Sequence, residues 1–220
     1  METGLQRRFL YPGPMSGRPA VAPAVAAGEA CAGAGRGTGV RLAWLLGCIV
    51  ASWVSAQGLL FGDAVLNWME QRYGGEARER VEALQRLIDR HADADEQRKL
   101  GVVNAFFNRV NYDSDSALWD QKDYWATPLE VLGVDAADCE DYAISKYFTL
   151  ITIGMQEERL RITYVKSLTL NEAHMVLAYY PEPDAEPLIL DNLRDTIERA
   201  GQRTDLVPDY SFIGHDLWLA

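Results

Sequence analysis

The residues with the clearest chemical potential are a thiol and three carboxylates in the stretch 138–143, which reads Asp-Cys-Glu-Asp-Tyr-Ala. Asp138 has a favoured N-cap residue type, and Asp141 stands three residues later, where it can complete a capping-box-like pair. Apolar residues then recur at helical spacing up to Gly154, a residue type that commonly ends helices. Cys139 is therefore predicted at a helix N-terminus, where backbone N–H groups and the macrodipole favour an anion, and it is the candidate nucleophile.

A thiol nucleophile needs a base, and the chain contains three histidines. His91 lies at the charged end of a predicted surface helix, and His215 lies near the C-terminus with no regular element to hold it. His174 opens a predicted strand that is otherwise apolar, which fixes its backbone and leaves its ring near the strand's end. His174 is the candidate base, although a histidine at this position also has a purely structural interpretation.

Asp191 ends the next predicted strand and can lie beside His174 if the two strands pair. A carboxylate that accepts a hydrogen bond from one imidazole nitrogen fixes the tautomer and stabilises the imidazolium, which leaves the other nitrogen for a thiol. The pattern predicts a relay of Cys139, His174 and Asp191. Asn192 is a weaker candidate for the orienting role, because it can supply the geometry without the charge.

The elements that must position these residues are predicted to be helices followed by strands. Apolar residues at helical spacing predict amphipathic helices over 77–91 and about 95–110, before a polar loop at 111–116. After Gly154 the hydrophobic period shifts towards two. It predicts three strands, at 161–166, 173–180 and 187–191. Their short connections favour antiparallel neighbours, and the order of elements predicts an α+β fold.

Three large aromatic residues, Trp119, Tyr124 and Trp125, lie within a seven-residue stretch that precedes the cysteine. They can line a substrate groove, or they can be ordinary core residues; the sequence leaves both interpretations open.

Charge is distributed unevenly along the chain. Residues 1–56 contain five arginines and two glutamates and so carry +3, which leaves −14 for the rest of a chain whose net charge is −11. This acidic part lacks the basic footprint of a nucleic-acid-binding protein. It also contains Cys139 as its single cysteine, which cannot form an intramolecular disulfide and is either inert or kept for chemistry.

The N-terminal part divides into two segments. Residues 1–39 are rich in Gly, Ala and Pro without apolar periodicity, so we expect either an unstructured extension or a true start codon further downstream. Residues 40–56 combine a basic flank, a short apolar run and small residues before Gln57, the pattern of a signal peptide; an uncleaved membrane anchor is the alternative. The predicted domain is then 57–220.

Four stretches of this domain, 123–128, 138–143, 173–177 and 190–192, together resemble the bacterial transglutaminase-like cysteine proteinases, and within them the LapG-type periplasmic proteases. The resemblance covers most of the domain. It implies a papain/transglutaminase-like core in which the nucleophile stands at the N-terminus of a central helix packed on an antiparallel sheet. It also implies Cys139 as nucleophile, His174 as general base and acid, and Asp191 as orienter.

The same resemblance implies a substrate and a regulator. The substrate is a large LapA-like surface adhesin, cut near its N-terminus at a di-alanine site so that cells leave a biofilm. The regulator is a LapD-like inner-membrane receptor that sequesters the protease when cyclic-di-GMP is high.

A metal is implied by the carboxylates around the thiol. A negative charge about 5 Å away disfavours a thiolate by about 3 kcal/mol at an effective dielectric constant of 20, more than a helix terminus offsets. A bound cation would relieve this conflict, and oxygen ligands suit Ca²⁺ better than zinc. The resemblance implies calcium held by Asp138, Glu140 and Asp141, with polar groups of the 111–115 loop as further ligands. Without it, Asp138 as a cap and two solvated carboxylates explain the cluster as well.

Two other functions remain open from the residues. The same relay can transfer the acyl group to an amine, as transglutaminases do. Alternatively, the chain is a non-catalytic, calcium-responsive binding module with a buried thiol.

Overall fold

The computed structural model describes residues 61–213 and the backbone of residues 216–219. The predicted extension at 1–39, the predicted signal segment at 40–56 and His215 lie outside the described residues. Among the described helices, none has the length and apolar character needed to cross a membrane.

Six α-helices occur in the described part of the chain. They are α1 (Asp63–Tyr73), α2 (Gly75–His91), α3 (Glu96–Phe107), α4 (Asp115–Leu118), α5 (Pro128–Val134) and α6 (Cys139–Thr152). The structure confirms the helices predicted from apolar periodicity at 77–91 and 95–110, although the second ends earlier, while α1, α4 and α5 were not predicted.

Local sequence explains where several helices begin and end. Asp95 caps α3 by accepting a hydrogen bond from the backbone N–H of Arg98 at 2.7 Å. Thr127 and Glu130 form a capping box at the start of α5. Gly154 follows α6 with φ +91°, a left-handed conformation that glycine adopts without steric cost, so the predicted end of this helix is confirmed.

The strands form one large sheet and one short parallel pair. The pair is β1 (Asn111–Tyr112) with β2 (Ala136–Ala137). The large sheet contains β3 (Leu160–Ser167), β4 (Glu172–Tyr179), β5 (Leu188–Leu190), β6 (Glu198–Arg199), β7 (Leu206–Ile213) and β8 (Asp216–Leu219). Its order is β6-β5-β4-β3-β7-β8 with antiparallel neighbours throughout, which confirms the α+β class and the antiparallel sheet.

Helix α6 lies at the centre of the fold. The main core unites its apolar side chains with one face of β3 and β4, where Ile162 pairs with Leu177, and Leu150 of α6 is fully buried there. The alternate residues of these strands form a second apolar cluster, which includes Val165 and Val176. The helix is therefore fixed on the sheet by burial of the apolar side chains that follow its first turn.

The first turn of α6 is also tied to the helical layer. Tyr142 Oη donates a hydrogen bond to the backbone carbonyl of Val110, just after α3, and both residues are buried. Strand β2 leads directly into α6 and pairs with β1, so the chain before Cys139 has little freedom. These contacts set the position of the thiol.

Two glycines give opposite predictions for stability. A Cβ at Gly133 of α5 would come within 2.8 Å of the Tyr73 ring, whereas a Cβ at Gly101 of α3 would meet no atom within 4 Å. Gly133→Ala should lower the free energy of unfolding by about 1–3 kcal/mol through overpacking. Gly101→Ala, the matched control, should raise it by about 0.5–1 kcal/mol because alanine loses less backbone entropy in a helix. Urea unfolding followed by circular dichroism measures both; a stabilising Gly133→Ala would contradict the described contact.

Candidate active site

Cys139 is the first residue of α6, as the sequence predicts. Its thiol is partly buried, and its sulfur accepts a hydrogen bond from the backbone N–H of Met175, the residue after His174 on β4. Cys139 Sγ also donates to Glu140 Oε2 at 3.0 Å. Burial raises the pKa of this thiol, and the negative charge of Glu140 raises it further. The helix N-terminus alone does not produce a thiolate here.

The predicted capping role of Asp138 is wrong. Asp138 occupies the N-cap position of α6, but its side chain accepts no hydrogen bond from the helix. The carboxylate instead joins a group of acidic side chains, because the fold brings Asp115 of α4 next to the start of α6. The Asp138 carboxylate therefore faces the neighbouring acidic side chains and not the N–H groups of the helix.

His174 and Asp191 meet through a direct hydrogen bond. His174 Nε2 lies 2.8 Å from Asp191 Oδ1, and the two residues are 4% and 1% exposed. Burial alone would raise the pKa of Asp191, but hydrogen bonding to His174, its charge, the Leu193 N–H and Arg203 hold that pKa well below its usual range. Asp191 is thus a buried carboxylate that stays ionised, and it occupies Nε2 so that Nδ1 is the nitrogen left to exchange a proton.

Groups that the sequence did not identify complete the surroundings of Asp191. Arg203 Nη2 donates to Asp191 Oδ2 at 2.6 Å, and Asn108 Nδ2 donates to the Asp191 backbone carbonyl at 2.9 Å. Neither residue lies in a motif or follows an apolar period. Their contacts depend on long-range chain packing, so no local sequence signal could have found them.

Three carboxylates form the acidic cluster: Asp115, Asp138 and Glu140 each offer an oxygen, and these atoms lie within 4.8 Å of one another. Two of the predicted ligands, Asp138 and Glu140, are therefore together, and Asp115, which the sequence placed in the contributing 111–115 loop, joins them from the first position of α4. Burial, with Glu140 and Asp141 as further causes, raises the pKa of Asp138 to about 9. Burial also raises the pKa of Asp115. Like charges at this distance oppose one another's ionisation.

Asp141, the third predicted ligand, is fully buried behind this cluster. Its Oδ1 accepts a hydrogen bond from the backbone N–H of Ala126 at 2.7 Å, which ties the aromatic segment to α6. Burial raises its pKa to about 7. Asp141 thus holds the Ala126 backbone against α6 in addition to adding its charge.

The acidic cluster has the donor set of a hard cation. Asp115 Oδ1 and Asp138 Oδ1 are buried and receive no hydrogen bond from any described N–H or O–H group. Buried carboxylate oxygens without donors are costly unless a proton or a cation lies beside them. Oxygen-only ligands of this kind fit Ca²⁺. The residues present are therefore compatible with the calcium that the sequence resemblance implies.

The sequence left open whether Trp119, Tyr124 and Trp125 are core residues or line a groove, and the structure gives different answers for different residues. Trp119 and Tyr124 contact each other at 4.9 Å between ring centroids and pack against the core. Trp125 is 43% exposed and stacks on Phe212 of β7 with ring centroids 5.8 Å apart. Of these three, Trp125 is the exposed side chain, and the other two are partly buried.

A thiol at the N-terminus of a central helix, an antiparallel sheet beneath it and a histidine–carboxylate pair on that sheet define a class. This is the arrangement of papain- and transglutaminase-like cysteine hydrolases.

Comparison with known proteins specifies the family. The model of the bacterial transglutaminase-like cysteine proteinases matches residues 71–214, and the chain belongs to this family. It is thus a cysteine protease by family.

Solved structures of a related protein agree with this family assignment. The chain is 47% identical to LapG of Legionella pneumophila, with a TM-score of 0.65, covering 70% of this chain and 86% of that one. A calcium-bound form of the same protein matches to the same extent, and an EGTA-treated form matches over 83% of its own length. No curated protein sequence matches the chain.

The raised pKa of Asp138 predicts how the free energy of unfolding depends on pH when EGTA removes calcium. Because that pKa is about 9 in the folded chain, the folded state holds more protons than the unfolded state between about pH 4 and 9. The free energy of unfolding should therefore fall as pH rises through this window. Asp138→Asn should remove much of this slope and raise stability at pH 8 by about 1–2 kcal/mol, or roughly 2–8 °C in melting temperature.

The matched control is Asp209→Asn, which removes an exposed charge on β7. Melting curves in EGTA at pH 5 and pH 8 measure the effect. Equal melting temperatures of the wild type and Asp138→Asn at pH 8 would show that the cluster is not repulsive.

Proposed function

We propose that this chain is an exported, calcium-dependent cysteine endopeptidase that cleaves a large surface adhesin near its N-terminus. The observation that carries the proposal is the buried His174–Asp191 hydrogen bond on the strand whose next residue, Met175, donates to the Cys139 sulfur. Membership in the bacterial transglutaminase-like cysteine proteinases supports the reaction class.

Peptide cleavage by this site proceeds through a thioester. His174 Nδ1 takes the proton of the Cys139 thiol, and the sulfur attacks the carbonyl carbon of the scissile peptide bond. His174 then gives the proton to the leaving amine as the C–N bond breaks. A water molecule, deprotonated by the same nitrogen, attacks the thioester and releases the acid and the free thiol.

Backbone groups of the helix start support the oxyanion of both tetrahedral intermediates. Cys139 stands at the first position of α6, where the backbone N–H has no partner within the helix. This N–H is the first oxyanion donor, and a second comes from the segment 119–128. Asp191 fixes the ring of His174 and stabilises the imidazolium formed in each step.

Calcium would be held by Asp115, Asp138 and Glu140, with Asp141 adjoining them, because these residues supply the oxygen cluster. When bound, the ion supplies positive charge that offsets the carboxylates opposing a Cys139 thiolate. Similarity to a structure of Legionella LapG in its calcium-bound form supports this assignment.

The substrate is proposed as a LapA-like adhesin cut at a di-alanine site, with biofilm dispersal as the consequence. The sequence resemblance to LapG-type proteases supports this, as does 47% identity to Legionella LapG. The exposed Trp125–Phe212 stack offers an aromatic surface for an extended peptide.

Periplasmic localisation and control by a LapD-like cyclic-di-GMP receptor complete the proposal. The signal-like segment at 40–56 supports export. Cell fractionation tests localisation, and recovery of the full-length chain in the cytoplasm would contradict it. Calorimetric titration with the periplasmic domain of such a receptor tests the partner, and absence of heat at micromolar concentrations would contradict it.

Cys139→Ala should lower cleavage of a purified LapA-like N-terminal fragment by at least about 10³-fold, because no other side chain supplies the nucleophile. Its melting temperature should stay within a few degrees of the wild type. The matched control is Asn192→Ala, next to Asp191, which should retain cleavage within about threefold. Electrophoresis and mass spectrometry of the fragment measure the outcome.

Three results would contradict the peptidase. Unchanged cleavage by Cys139→Ala would remove the nucleophile assignment. Incorporation of a labelled amine in place of hydrolysis would favour acyl transfer. A thiol that resists alkylation in the folded chain, with no cleavage, would favour a binding module.

Chelation should abolish cleavage and lower the melting temperature, because the carboxylates then oppose both the thiolate and the folded state. Excess Ca²⁺ should restore both, and equal Mg²⁺ should restore less because it resists losing its water ligands. Asp115→Asn should weaken Ca²⁺ binding at least about tenfold, whereas Asp209→Asn should not change it; isothermal titration calorimetry measures both. EGTA that leaves melting and proteolysis unaffected would refute the calcium site.

A further inference from the structure

Arg203 is a buried cation in direct contact with the relay. It lies between the 3₁₀ turn Ala200–Gln202 and β7, and its side chain is 1% exposed. Its Nη2 lies 2.6 Å from Asp191 Oδ2, and the Asp191 side chain has no exposure. An ion pair with both partners out of water interacts strongly only if its geometry is well satisfied. The contact therefore fixes the positions of the Arg203 and Asp191 side chains.

The two oxygens of Asp191 have different partners. Oδ1 faces His174 Nε2 at 2.8 Å and accepts from the backbone N–H of Leu193 at 3.0 Å. Oδ2 faces Arg203. Rotation of the carboxylate out of its plane would break both sets of hydrogen bonds at once, so Arg203 helps to fix the plane in which His174 meets the carboxylate.

Arg203 is itself held in place by a second carboxylate. Its Nε donates to Asp205 Oδ1 at 3.0 Å, and its Nη2 donates to Asp205 Oδ2 at 2.9 Å. The planar guanidinium thus spans two carboxylates, a geometry that a lysine ammonium cannot fully reproduce. Asp205 also lies 3.2 Å from Arg194, which makes no described contact with the Asp191 side chain.

Another buried basic side chain, Lys146 of α6, lies in the same region but acts differently. It is fully buried, and its Nζ has no hydrogen-bond partner among the described groups. Burial lowers the pKa of Lys146 to about 7, and Asp191 and Asp195 oppose this shift through charge alone. Arg203 is thus the cation whose direct geometry can orient Asp191.

We propose that Arg203 is a positioning residue of the protease relay and acts on catalysis through Asp191 alone. The inference rests on the proposed function, in which Asp191 orients His174. It extends the relay to four residues: Cys139, His174, Asp191 and Arg203.

The first experiment compares Arg203→Met, Arg203→Lys and the matched control Arg194→Met in peptidase assays with saturating Ca²⁺. Arg203→Met should lower kcat about 10- to 100-fold with KM changed less than about twofold, because the residue does not touch substrate. Arg203→Lys, which keeps the charge, should recover a large part of the loss. Arg194→Met shares the Asp205 contact and should stay within about twofold.

The second experiment repeats Arg203→Met in the Asp191→Asn background. If Arg203 acts only through Asp191, the substitution should change kcat less than about twofold there, and the two losses should be strongly non-additive. A merely structural role would cost the same factor in both backgrounds and would overturn the proposal. So would an Arg203→Met variant with kcat within twofold of the wild type.

A readout without substrate separates this inference from the proposed function. Alkylation of Cys139 by iodoacetamide at fixed pH, with folding checked by circular dichroism, should slow in Arg203→Met and recover in Arg203→Lys. If Arg203→Met is too unstable to purify, Arg203→Gln takes its place. If the alkylation rate changes in Arg203→Met but the wild type cleaves no adhesin fragment, the proposed substrate is wrong and the positioning role of Arg203 stands. If the alkylation rate is the same in Arg203→Met and the wild type, the inference is overturned.

Discussion

The constraint on which this structure depends is the burial of charge at the first turn of α6. Apolar packing on β3 and β4 holds the helix in the centre of the fold, and its N-terminus brings Asp138, Glu140 and Asp141 inside with it. Asp141 is fully buried and the other two are partly buried, so screening by water is reduced, and the neighbouring charges raise the pKa of Asp138 and of Asp141 beyond the effect of burial. The thiol is activated only if something opposes that negative charge.

Two groups of buried carboxylates meet this constraint in different ways. Asp191 has direct donors on both oxygens, from His174, Leu193 and Arg203, and its pKa is held below the usual range. In the cluster of Asp115, Asp138 and Glu140, two buried oxygens, Asp115 Oδ1 and Asp138 Oδ1, have no donor among the described groups, and the pKa of Asp138 rises to about 9. The charge of Asp191 is thus balanced by groups of the chain itself, whereas the acidic cluster has the character of an ion-binding site. The thiol of Cys139 lies next to Met175 and Glu140.

Sequence patterns predicted the elements that repeat a hydrophobic period. The helix over 77–91, the strands near 161–166 and 173–180 and the start of α6 follow such periods and are present. Strand β7 was not predicted, because its exposed Val207, Pro208 and Asp209 interrupt the alternation expected of a half-buried strand. Asp138 shows the other kind of error: its residue type suits an N-cap, but its oxygen contributes to a cluster formed by a residue more than one element away.

The sequence by itself determined the α+β class, the candidate thiol at a helix start and the pairing of His174 with Asp191, because each follows from residue type and local period. Only the tertiary structure decided that Asp115 joins Asp138 and Glu140, that Asp141 binds the Ala126 N–H, and that Arg203 contacts Asp191. These contacts join side chains far apart along the chain. Packing of the helices and pairing of the strands bring them together, and no local pattern of charged residues encodes these contacts.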